Sequence, residues 1–217
     1  MVHEHEIEPV WGLPERPPAG ETILWQGAPD WRAYALRGLH IRGFAVYFAL
    51  LIGARCAASL MDGASLATAM WDAAWFLPVA GLGLGLMLVF AVLVARTSAY
   101  TITTQRIVFR IGVALSMTAN IPFAAIEAAA VKRNADGSGD ITLTIAAKQR
   151  ISYIFFWPHA RPWRYALPEP ALRAIADVDA VAQALSRALA AAASLPVRPV
   201  AAAAPAGAAT GPQTAAA

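Results

Sequence analysis

The segment WPHARPW, residues 157–163, gathers the chain's densest set of side chains able to recognise another molecule. Trp157 and Trp163 offer large, stiff apolar surfaces, Arg161 and the neighbouring Arg164 offer forked donors, and Tyr165 adds a ring with a polar tip. Pro158 and Pro162 restrict the loop before anything binds, which lowers the entropy cost of holding a partner. A loop of this chemistry serves one of three ends. It docks a partner, with Trp157, His159, Arg161, Trp163, Arg164 and Tyr165 as contacts; it clasps its own domain, tryptophans inward and arginines capping carbonyls; or it dips its tryptophans into a headgroup layer.

Other candidates for chemistry are sparse. His159 and His40 could each ligate a metal or a magnesium tetrapyrrole, but neither has a paired ligand. His3 and His5 flank Glu4 near the start of the chain, where casual metal binding would carry no function. Cys56 is the only cysteine, which excludes an internal disulfide framework and a clustered thiolate site. Its place in an apolar run suits a small hydrophobe better than a reactive thiol. The loop NADGSGD, residues 134–140, echoes the start of a calcium loop but lacks the distal glutamate, so Asp136 and Asp140 are expected to satisfy turn amides. No nucleophile elbow, phosphate loop or paired carboxylate set with a neighbouring base is present in the sequence, so the expectation is no enzyme, no catalytic residue, no metal and no resident cofactor.

The elements that must position the loop follow from composition. The chain has 217 residues, 58% hydrophobic and 14% charged, with a mean hydropathy of +0.50. That excess lies partly in two apolar runs, residues 43–61 and 74–95, each about long enough to cross a hydrocarbon core at roughly 1.5 Å per residue. Pro78 sits in the first turn of the second run, where its missing N–H costs little. Arg32, Arg37 and Arg42 precede the first run and Arg96, Arg106 and Arg110 follow the second, whereas residues 62–73 between them hold no lysine or arginine. The positive-inside rule then predicts a two-span hairpin in the cytoplasmic membrane with both termini in the cytoplasm. Trp71, Trp75 and Phe76 fall where an outer aromatic belt belongs. Gly81 with Gly85, and Gly53 with Ala57, either bring the spans together or reflect a bias to small residues. Arg55 within the first span is costly; it either snorkels toward Asp62 or meets a partner helix.

Past residue 96 the pattern turns to alternation, the mark of strands. Tyr100 and Ile102, then Ile107, Phe109 and Ile111, predict a hairpin; residues 128–132, Ile141 to Ile145 and the run ISYIFFW at 151–157 predict three more strands. Ile175, Val178, Ala182, Leu185 and Leu189 recur at helical spacing, with Asp177 or Asp179 placed to cap a closing helix. The fold class expected is α+β: a two-span transmembrane hairpin plus a cytoplasmic, mostly-β barrel whose open end that helix plugs. The organisation reads as an acidic flexible N-terminus (1–18), a pre-membrane segment packing with the β domain (19–42), spans at 43–61 and 74–95 around a periplasmic loop (62–73), the β domain (97–193) and a disordered Ala/Pro tail (194–217). From residue 97 onward eleven basic residues face six acidic ones, a balance of +5. Such a domain beside a membrane suits anionic headgroups, with Lys132, Arg133, Lys148 and Arg150 as contacts, or an acidic protein face. Nucleic acid is not expected, since no basic stripe interleaved with aromatics appears.

The residues reach a resemblance in YTITTQRIVFRIG (100–112) followed by IPFAAI (121–126), which resembles the bacterial pleckstrin-homology-like domains of small membrane proteins. With GETILWQGAPDW (20–31), RIGVALSMTANIPF (110–123), DGSGDITL (136–143) and WPHARPWRYALPEPALR (157–173), in this order around two spans, the chain is similar to the photosynthetic complex assembly proteins of purple bacteria. The similarity runs over residues 18–189. It implies an accessory factor, acting through contacts with reaction-centre or light-harvesting 1 polypeptides and membrane lipids, with self-association and passing bacteriochlorophyll contact both left open. It also favours docking over the clasp for WPHARPW. A general PH-like module binding anionic lipid or scaffolding another membrane complex is the alternative.

Overall fold

A computed structural model describes residues 11–113, 115–146, 152–162, 165 and 167–193. The chain enters through strand β1 (Ile23–Gly27) and a short helix α1 (Trp31–Ala33), capped by Asp30, whose Oδ1 accepts from the Ala33 N–H at 2.7 Å. The helix widens into a π-helical turn over Tyr34–Gly38. Three helices follow: α2 (Ile41–Met61), α3 (Leu66–Ala74), capped by Ser65, and α4 (Phe76–Thr97). The remainder is β2 (Ala99–Thr103), β3 (Arg106–Ile111), β4 (Met117–Pro122), β5 (Ile126–Arg133), β6 (Gly139–Ile145), a one-turn helix α5 (Tyr153–Phe156), β7 (Ala171–Ile175) and α6 (Val178–Ala193).

The strands form two antiparallel sheets, ordered β1-β2-β3-β4 and β5-β6-β7. The expected single barrel is therefore not closed among the described residues. The turn at Phe123–Ala125 separates β4 from β5, and α6 bridges the sheets by packing on β1, β5 and β6. Its apolar face, Val178, Val181, Ala182, Leu185 and Ala188, closes a core with Tyr100, Ile102, Ile107, Phe109, Ile141, Leu143 and Leu172. The most consequential pairing is β1 with β2: Gln26 lies opposite Thr101 and Gly27 opposite Tyr100. The helical hairpin is thus inserted between the first two strands of one sheet, and the domain is tied to it on both sides. Only Ser98 separates α4 from β2.

Two sequence expectations change here. Residues 151–157 were expected as a strand, yet Tyr153–Phe156 is helical: Tyr153 and Phe156 turn inward at i and i+3, and Ser152 is the run's one strongly polar residue, too little to enforce alternation; Ile151 lies outside the described residues. Ile175 belongs to β7 and not to the closing helix. Ala174, at φ 53°, makes a bulge that buries both Leu172 and Ile175, and the buried Ile175 stands three residues before Val178, so the last strand residue falls in step with the helix. The helix starts at Val178 with Asp177 as its cap, accepting from the Ala180 N–H at 3.1 Å.

The hairpin holds two stretches long and apolar enough to cross a membrane, Ile41–Met61 and Leu66–Thr97, the second joining α3 to α4. The segment expected as a loop is therefore mostly helix, folded back on α2. That fold-back redirects Arg55. Its partner is Asp72 of α3 at 3.3 Å, with Ser59 donating to the same carboxylate at 3.0 Å, and not Asp62. The glycine rows do not mediate span packing either: a Cβ at Gly53, Gly81 or Gly85 would meet nothing within 4 Å, whereas at Gly83 it would stand 3.4 Å from the Phe48 ring. Trp71 and Trp75 meet edge to face at 6.4 Å on the far end and stay exposed.

Candidate functional site

Residues 157–162 of WPHARPW sit at the junction of the hairpin and the sheets, and their two faces do different things. The inner face is a polar core. His159 is 1% exposed, with Nε2 at 3.0 Å from the Ser98 hydroxyl and Nδ1 at 2.5 Å from the Tyr100 hydroxyl. The Tyr100 hydroxyl also accepts the Arg173 backbone N–H at 3.2 Å, so ring, phenol and strand β7 form one buried polar network, in which one ring nitrogen of the neutral imidazole donates and the other accepts. Burial, and then the nearby Arg173 charge, push the His159 pKa down to about 3, so the ring is neutral. Burial also raises the Tyr100 pKa and pushes Tyr34 up to about 12, which keeps both phenols protonated.

Arg173 is the charge these groups surround. Its guanidinium lies 5.9 Å from the Tyr34 ring centroid and 3.8 Å from the Asp140 carboxylate, and donates to the Pro158 carbonyl at 3.4 Å. Asp140 also accepts the Ala174 N–H at 2.8 Å, and the Ala174 carbonyl accepts the Asp30 N–H at 2.7 Å. The bulge at Ala174 therefore links β6, β7 and α1, and Ala33, Tyr34, Ala91, Val94 and Ala174 pack as one cluster against the end of α4. His159, expected as a partner contact, is corrected to an internal anchor: a buried ring bonded at both nitrogens has nothing left to offer a partner.

The outer face is open. Trp157 stacks on Phe90 of α4 at 5.7 Å and stays exposed, Tyr165 lies edge-on to Tyr153 at 4.8 Å, and Arg161 donates to Glu169 at 3.0 Å while half of its side chain stays exposed. Trp163 and Arg164 lie outside the described residues, as do Lys148 and Arg150. Lys132 is exposed on β5, whereas Arg133 is held by Asp179 of α6. Asp136 caps its own turn by accepting from Ser138, and takes Arg37 at 2.8 Å, so the NADGSGD loop receives the segment that leads into α2. Ser138's hydrogen bonds, and then Arg37, hold the Asp136 carboxyl below the usual carboxylate range. An apolar cleft between β1 and α6 is lined by Leu24, Thr104, Ala184, Ala188 and Ala191, with Arg187 on its wall. Among the described residues no three histidine, cysteine or carboxylate side chains converge as metal ligands.

Residues 47–189 match the family described as Bacterial PH domain. The chain belongs to that family. The match begins inside α2, so β1, which completes the first sheet of this bacterial PH domain, lies before it. The chain is also 38% identical, over 187 residues that cover 86% of it and 87% of the other, to a Rhodobacter capsulatus protein named "Uncharacterized 23.7 kDa protein in puhA 5'region". No solved structure matches the chain.

Sequence reasoning did not find Phe90, Ser98, Asp140 or Arg173 as parts of this junction. Phe90 is one apolar residue in an apolar span and Ser98 a small polar one after it. Only Arg173, the one charged residue in an apolar strand, carried a signal, and it was masked by the helix-like spacing around it.

Proposed function

We propose that this bacterial PH domain protein is an assembly factor for the bacterial photosynthetic reaction centre and its light-harvesting 1 antenna, related to the photosynthetic complex assembly protein PuhB. It acts by protein and membrane contacts from the cytoplasmic membrane, with both termini in the cytoplasm. The observation that carries the reading is the 38% identical relative whose name places it in the puhA 5′ region, matched over nearly the whole of both chains. The architecture supports it. Large apolar side chains such as Leu50, Leu82 and Leu86 face outward along the hairpin, where transmembrane helices of other subunits can pack. A domain inserted around that hairpin, with one residue between α4 and β2, holds whatever it binds in fixed register with the spans.

Deleting the chain from a photosynthetically grown bacterium is the test. Reaction-centre and antenna absorption are expected to fall and to recover on complementation, and affinity purification from those membranes is expected to bring down their polypeptides. Normal absorption in the deletion strain refutes the reading.

A further inference from the structure

Five large apolar side chains stand in the open on one short stretch of the β domain. Ile154 is 81% exposed, Phe155 59%, Trp157 57%, Tyr165 61% and Leu167 60%. Helix geometry separates them from the core. Tyr153 and Phe156 turn inward, Phe156 against Phe109 at 5.7 Å, which leaves Ile154 and Phe155 on the outer side of α5. An apolar cluster of this kind marks an interaction surface.

The hairpin tells what covers it. Gly83 of α4 faces Phe48 of α2. From that contact the antiparallel helices run from Phe48 back to Ile41 on one side and from Gly83 on to Phe90 on the other, about 10 Å in each case at 1.5 Å per residue. Ile41 and Phe90 accordingly pack against the same cluster, and the exposed Arg42 stands next to Ile41. Phe90 is thus level with the start of the first apolar run and with Arg42 beside it, and lies about 9 Å along α4 from Arg96, so it stands at the inner margin of the headgroup layer that these cations mark. The Trp157 ring stacks on Phe90, which places the apolar cluster at that level, continuous with the outward face of α4.

We propose that α5, with Trp157, Tyr165 and Leu167, is an interfacial foot that lies in the headgroup layer of the same bilayer that α2 and α4 cross. The inference rests on the membrane-spanning reading of those helices. The occupant is lipid because the patch continues a lipid-facing helix surface at interfacial depth, and because its rings are of the type that settles there. Together with the two covalent connections, β1 through α1 into α2 and α4 into β2, the foot gives the domain a third point of support and a fixed tilt against the membrane.

The test uses the full chain in vesicles of phosphatidylcholine and phosphatidylglycerol, with nothing else present. In a Cys56→Ala background, nitroxide labels on Ile154→Cys, Leu86→Cys and Lys132→Cys report collisions with oxygen, which prefers lipid, and with a nickel chelate, which prefers water. Residue 86 is expected to read hydrocarbon and 132 water, with oxygen exceeding the chelate several-fold more at 154 than at 132. Equal readings at 154 and 132, with hydrocarbon at 86, overturn the foot and leave the patch to a protein partner. Water at 86 overturns the spanning reading and the foot with it.

Discussion

The neutral, buried His159 makes the stability of the domain depend on pH. In the unfolded chain the imidazole takes up its proton near 6.5, whereas in the folded domain burial and Arg173 hold that event down to about pH 3. Between those values the unfolded chain binds a proton that the folded one does not, so stability is present in full above 6.5 and is lost progressively as pH falls toward 3. The slope is about 1.4 kcal/mol per unit. At pH 5 the loss relative to pH 7 is about 2 kcal/mol, which corresponds to a melting shift of about 4–8 °C for a chain of this size. Thermal melts of the detergent-solubilised full chain, followed by near-ultraviolet circular dichroism, measure it. His159→Phe removes the proton site and leaves the Tyr100 and Ser98 hydroxyls short of a partner. It is expected to lower stability at pH 7 by about 1–3 kcal/mol while abolishing the pH 7 to 5 slope. His159→Gln, which keeps a donor and an acceptor, serves the same comparison with a smaller cost at pH 7. His40→Gln, at an exposed position before α2, is expected to keep the slope. A wild-type chain with the same midpoint at pH 7 and 5, or a His159 variant that retains the slope, would refute the reasoning.

Glu21, its side chain 2% exposed, meets Arg106 through two bonds of 2.9 and 3.0 Å, tying the segment before β1 to β3. Burial by itself raises its pKa, but the Thr103 and Arg106 hydrogen bonds and the Arg106 charge outweigh burial and lower it. Its contribution is therefore present above the ordinary glutamate range and lost as pH falls through the lowered value, and Glu21→Gln is expected to cost about 1–3 kcal/mol in melts at pH 7. In the hairpin, Asp72→Leu alone leaves Arg55 without its counter-charge, whereas Arg55→Met with Asp72→Leu removes both charges. The double variant is expected to be the more stable of the two, with a coupling energy of about 0.5–3 kcal/mol in a double-mutant cycle, and equal additive losses would count against the pair. Gly139 has no room for a side chain, since a Cβ would collide with the Lys132 carbonyl oxygen and with Val178. Gly139→Ala is expected to lower the melting midpoint by an amount equivalent to about 1–3 kcal/mol, and an unchanged midpoint would show that β6 and α6 can separate there.

How far the junction was legible depends on the kind of signal each residue carried. Tyr100, Ile102, Ile107 and Phe109 announce a buried hairpin by alternation, and they pair as Tyr100 with Phe109 and Ile102 with Ile107. Residues 151–157 and Ile175 misled because a run broken only by Ser152 has little period to read, and because the last residue of β7 falls three before Val178, in step with the helix. The WPHARPW loop was legible as a cluster but not as a two-faced object. Nothing in WPHARPW distinguishes the ring that faces Ser98, 61 positions earlier, from the ring that faces outward.

What the sequence determined by itself was the presence of two membrane-length apolar stretches flanked by arginines and of a strand-rich domain with an amphipathic closing helix, because each of these is a periodicity or a composition within one element. Tertiary structure alone decided that β1 crosses from before the hairpin to pair with β2, that Asp72 and not Asp62 answers Arg55, that His159 is sealed inside and that Trp157 lies on Phe90. Each of those is a meeting of surfaces from separate elements. Its free energy depends on which faces the intervening chain can bring together, and local pattern holds no record of that.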